Sequence, residues 1–155
     1  MYQYVWQQPK IIRWSQILTN SYQQLLGKPL NDRDLTPEAL SRELFHAPFV
    51  IVSHGTQTDP IFNYGNQTAL QLWSIGWDEL IVTPSRLSAE PVNRETRAKM
   101  LEQAATKGYI DNYQGIRIST TGQRFLIEQA VIWNLTDESG QQCGQAATFS
   151  EWKWL

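Results

Sequence analysis

Gln129 stands in the middle of an apolar strand, within "YQGIRISTTGQRFLIEQAVIWNL", residues 113–135. Side chains on a strand alternate between two faces. With Thr121 and Gly122 as the tip of a tight hairpin, Ile116 and Ile118 share one face with Phe125, Ile127, Gln129, Val131 and Trp133. Arg117, Arg124, Leu126, Glu128 and Ile132 take the other, where the charged residues read as an outer ion-pair ladder. A buried side-chain amide costs on the order of 1–3 kcal/mol unless it is hydrogen-bonded, so Gln129 requires a partner from the protein, from water or from a ligand. Reading "DESG" as a four-residue turn sets Thr148 across from Gln129. The pair then either orients a small ligand in a mostly apolar pocket or ties two strands in register. Tyr64, Asn66 and Arg86 form a second group. Asn66 suits a ligand contact or a helix N-cap. Arg86 suits a bidentate clamp on a carboxylate or phosphate, or a surface ion pair.

Other reactive residue types are sparse. His46 and His54 are the only histidines, and neither has a carboxylate or thiol at metal-ligand spacing, so no metal site is expected. No nucleophile elbow, phosphate-binding glycine loop or helical metal motif is present, and no catalytic residue is assigned. An enzyme would have to work with a single carboxylate in a cavity, and Asp59 and Asp111, the nearest candidates, read as turn residues. The chemistry within reach is binding.

A chain of 155 residues fits one domain with a core of its own. Its net charge of −2, from 13 basic and 15 acidic residues, carries no footprint for nucleic acid or an anionic membrane, and neither is expected as a direct partner. No run approaches the roughly 18 apolar residues of a membrane span, and "MYQYVWQQPK" lacks the apolar core of a secretion signal. The expected compartment is the cytoplasm. Cys143, the only cysteine, excludes an internal disulfide.

The elements that must position these residues follow from spacing. Ile11, Trp14, Leu18, Tyr22 and Leu25 recur at helical intervals over residues 10–26, ahead of Gly27 and Pro29. Thr36 and Pro37 start a second helix. "PFVIVSHG" and "IFNY" make a first hairpin, "NQTALQLWS" turns helical behind Asn66, and a further helix runs from about Val92 to Lys107 with Met100, Leu101 and Ala104 on one face. Three long strands end the chain, the last being "GQAATFSEWKWL". This order predicts an α+β fold: a five-stranded antiparallel sheet with a helical block on one face and the N-terminal helix on the other.

"IFNYGNQTALQLW", "PSRLSAEP", "GYIDNYQGIRISTTGQRFLIEQAVIWNL" and "GQAATF", in this order, resemble the MEKHLA domain, a PAS-like family, in its free-standing bacterial form. The resemblance implies a PAS-like domain over residues 48–155 behind a helical extension over residues 1–47. It also implies a sensory or regulatory module that holds a small molecule between sheet and helices. It names no cofactor. The cysteine motif of photoactive flavin-binding relatives is absent from the helical block. The alternative is a ligand-free interaction module that forms a homodimer, since Ile11, Ile12, Trp14, Leu18 and Tyr22 give the first helix more apolar surface than one sheet face readily covers.

Overall fold

The computed structural model describes residues 3–31, 34–89, 95, 98–100, 102 and 106–155. Helix α1 spans Pro9–Leu26 and α2 spans Pro37–Phe45. Both start on a proline, whose missing N–H costs nothing in a first turn. Thr36 caps α2 by accepting from the Ala39 amide at 3.3 Å. Gly27, at φ 73°, closes α1 in the left-handed region that glycine enters without penalty. Strands β1 (Val50–His54) and β2 (Phe62–Gly65) form the first hairpin, followed by α3 (Gln67–Trp73), α4 (Trp77–Leu80) and a 3-10 turn at Ser85–Ser88. The chain is helical again at 98–100 and 106–107, while Val92, Leu101 and Ala104 lie outside the described residues.

Strands β3 (Tyr109–Ile118), β4 (Arg124–Thr136), β5 (Gln142–Phe149) and β6 (Glu151–Trp154) complete the sheet. It is antiparallel, ordered β2-β1-β5-β4-β3, with β6 beside the first half of β4. The expected last strand is thus two, broken at Ser150. Each face has its own core. On one, Val50, Val52, Phe62, Phe125, Ile127, Ile132 and Phe149 meet Leu72, Trp73 and Leu80 of the helical block. On the other, Ile51, Tyr64, Trp133, Leu135 and Ala146 meet Ile11, Ile17, Leu18 and Tyr22 of α1 and Leu44 of α2. The expected layering is present.

The expected faces of β3 and β4 are not, for two physical reasons. The hairpin pairs Ile118 with Arg124 and Arg117 with Phe125, which centres the turn on Thr121 instead of between Thr121 and Gly122. A shift of one residue sends every side chain of one strand to the opposite face. Arg117 therefore lies inside with Phe125, and Ile116 sits outside across from Leu126. Arg117 thus leaves the outer ion-pair ladder, in which Glu128 pairs with Lys153 at 3.4 Å.

The second reason is Gln129 itself, at φ 53° in the left-handed region. Between the pairs Tyr113–Ala130 and Gly115–Ile127, β4 holds one residue more than β3, a bulge that resets the alternation. Phe125 and Ile127 precede it on the helical-block face. Beyond it that face receives Ala130 and Ile132, while Val131, Trp133 and Leu135 turn toward α1. Asn112, at φ 55°, adds the compensating residue in β3. Gln129 is consequently exposed, and its amide needs no buried partner. Left-handed backbone costs a side-chain-bearing residue about 1–2 kcal/mol, so Gln129→Gly should raise stability by about 0.5–1 kcal/mol in urea unfolding, after glycine's own entropic cost. A β-branched residue there should lower it.

Candidate functional site

Between the sheet and the helical block lies a cavity of about 50 Å³, room for roughly four waters. Val52, Phe62, Ile127, Ile132, Ala147 and Phe149 supply apolar walls, Met100 reaches in from the segment ahead of β3, and Trp73 contributes its indole from the end of α3. A wider recess of about 340 Å³ shares Phe62, Trp73 and Ser88 with it and opens toward Leu87 and Thr120.

The polar residues come mainly from β3 and β5. Asn112 turns Tyr113 inward, and strand alternation carries Gly115 and Arg117 along the same face. The missing side chain at Gly115 matters: a Cβ there would stand 2.5 Å from Tyr113 Oη and 3.2 Å from Arg117 Nη1. Its absence lets Arg117 fold back over the Tyr113 ring, with the guanidinium carbon 5.5 Å from the ring centroid. Arg117 Nη2 donates to Tyr113 Oη at 3.1 Å and Nη1 to the Ile116 carbonyl at 2.8 Å. The residue is 6% exposed, and no carboxylate pairs with it among the described residues. On β5, separated from β3 by β4, Gln145 is buried and donates through Nε2 to Asn134 Oδ1 at 2.9 Å. The Trp73 indole N–H is buried without a hydrogen-bond partner among the described residues.

None of the six residues singled out from sequence lines this cavity. Gln129 is exposed on its bulge. Thr148 faces α1 across from Val131, not Gln129, and its hydroxyl donates to the Val50 carbonyl at 2.8 Å. Trp133 is fully buried against α1, donating Nε1–H to the Leu18 carbonyl at 3.2 Å. Tyr64 lies in the same core, where burial pushes its phenol pKa up. Asn66 takes the cap alternative: Oδ1 accepts from the Ala69 amide at 3.1 Å. Arg86 takes the ion-pair alternative, 3.2 Å from Asp59 at the surface. The residues missed were Tyr113, Arg117, Trp73 and Gln145. A signal for two of them was present in "YQGIR", where a glycine separates two long side chains at period-two spacing and leaves room for them to meet.

Among the described residues no group of His, Cys, Asp and Glu could hold a metal ion, and no helix is long and apolar enough to cross a membrane.

A family model for the MEKHLA domain matches residues 12–154. No curated protein matches the chain. Similar solved structures include the PAS domain of a protein from Colwellia psychrerythraea, 14% identical at a TM-score of 0.64, covering 76% of this chain and 95% of that one. A light-oxygen-voltage domain studied with a flavin analogue is 16% identical at 0.59, covering 76% and 84%. The light-state dimer of the fungal blue-light photoreceptor Vivid is 14% identical at 0.57, covering 85% and 92%. At these identities the likeness is one of fold. A cysteine–flavin adduct does not fit the residues around this cavity: Cys143 packs with the α1 core on the opposite sheet face, and burial pushes its thiol pKa up.

Proposed function

This chain belongs to the MEKHLA domain family, and we propose that it is a cytoplasmic sensory or regulatory module that takes a small molecule into the cavity between its PAS-like sheet and the helical block. The observation that carries this reading is Arg117, a buried guanidinium in an apolar cavity with no counter-ion among the described residues. Burying an uncompensated charge costs several kcal/mol, which a purely structural core has no reason to retain. In this reading residues 48–155 form the sensing unit and residues 1–47 a helical extension on its back. The module is not an enzyme. Among the described residues the polar groups at the cavity are an arginine, a tyrosine, a glutamine, an indole, a histidine and serines, and no carboxylate lines it.

Pairing of two copies through α1 draws little support. Ile11, Ile17, Leu18 and Tyr22 are buried against the chain's own sheet, and Ile12 and Trp14 are already half-buried.

Thermal shift of the purified chain against a panel of small amphiphiles tests the proposal, with Ala147→Leu as a cavity-filling control. Ligand at a hundredfold excess over Kd stabilises by about 2.7 kcal/mol, expected here as a rise of roughly 5–10 °C. The rise should shrink or vanish in Ala147→Leu. A panel that moves neither protein, together with native mass spectra showing no retained small molecule, would refute the pocket.

A further inference from the structure

Resting on that pocket reading, we infer that the ligand is a small monocarboxylate with an apolar body, its carboxylate held by Arg117. A guanidinium carries five N–H donors, and among the described residues Arg117 directs them to only two acceptors, Tyr113 Oη and the Ile116 carbonyl. Donors therefore remain on a group that is 6% exposed. Its planar fork matches a carboxylate in two parallel hydrogen bonds. The contact with Tyr113 holds the fork in place before any ligand arrives, because Gly115 leaves the two side chains room to meet.

Charge selects within the anions. Among the described residues Arg117 is the only arginine or lysine lining the cavity, so one negative charge balances it. A phosphate carrying nearly two would leave the excess buried among Val52, Ile127, Ile132 and Phe149. Those walls suit a hydrocarbon body. Trp73 lines the same cavity, and its buried indole N–H, without a partner among the described residues, is a further donor available to a carboxylate oxygen.

The test pairs each acid with its isosteric amide on the full chain. Propionate and butyrate are titrated calorimetrically against propionamide and butyramide, with inorganic phosphate alongside. Each acid should bind at least tenfold more tightly than its amide. Arg117→Met should bring acid and amide within about threefold of each other. Trp73→Phe, which keeps an aromatic ring and removes the N–H, should weaken the acids severalfold and leave the amides unchanged. Amides that bind as well as acids to the natural chain would overturn the inference, as would phosphate binding more tightly than either acid or an acid preference that survives in Arg117→Met. If the methionine variant does not fold, the comparison on the natural chain decides alone. Binding of amides without acids would leave the pocket standing and remove the carboxylate. Binding of neither, in a chain that still responds to other amphiphiles, would do the same.

Discussion

Asn66→Ala is expected to lower the stability of the chain by about 4 kcal/mol, seen as a fall in melting temperature of roughly 8–16 °C. Asn66 is fully buried and both ends of its amide are occupied. Oδ1 accepts from the Ile51 and Ala69 amides, each at 3.1 Å. Nδ2 donates to the Leu44 carbonyl at 3.0 Å and the Phe49 carbonyl at 2.8 Å. One side chain thereby joins the end of α2, the approach to β1, β1 itself and the start of α3. Alanine leaves four backbone groups to find new partners, and a buried polar group without one costs about 1–3 kcal/mol. Relaxation and water entry keep the total below the sum of four such penalties. Asn66→Asp separates this network from simple capping. It preserves an acceptor for Ala69 but sets a carboxylate against two carbonyls, so it should be nearly as damaging, whereas an N-cap alone tolerates aspartate well. A loss under 1 kcal/mol for the aspartate variant in urea unfolding would reduce Asn66 to a cap.

Trp133→Ala should cost about 3–5 kcal/mol, the range for deleting a large buried aromatic side chain. Trp133 is fully buried, its ring meets Tyr22 edge-on with centroids 5.0 Å apart, and its N–H reaches the Leu18 carbonyl. These contacts fasten α1 to the back of the sheet. Because Trp133 faces away from the cavity, the folded fraction of Trp133→Ala should bind small amphiphiles as the natural chain does. Trp133→Phe keeps the edge-on contact and should cost about 1–2 kcal/mol, for the lost ring area and hydrogen bond. A tenfold loss of ligand affinity in the folded fraction of either variant would return Trp133 to the binding site.

Local chemistry made much of this protein legible in its sequence. The α1 span follows from the helical spacing of Ile11, Leu18 and Tyr22 and from Gly27; α2 follows from Thr36 and Pro37; and Asn66 marks the start of α3. These signals act over one or two turns, through a proline without an N–H, a side chain that caps, or a glycine at positive φ. The layering was legible too, since β3, β4 and β5 carry more apolar residues than one sheet face can hold, and α1 was the amphipathic element free to cover the second.

The candidate site was not legible, because it depends on which way each strand residue faces. Two single-residue events decided that: a turn centred on Thr121 and a left-handed Gln129. Neither has a compelling local signature. A hairpin tip moved by one residue satisfies similar turn chemistry, and glutamine is not a residue that favours positive φ. The preference against left-handed backbone, about 1–2 kcal/mol, is outweighed by what the bulge allows. It lets Phe125 and Ile127 fill the helical-block core while Trp133 and Leu135 fill the α1 core from the same strand, and each such burial contributes about 1.5–3 kcal/mol. Only packing both faces at once sets that balance, and it is the tertiary structure that moved Gln129 out to solvent and Arg117 into the cavity.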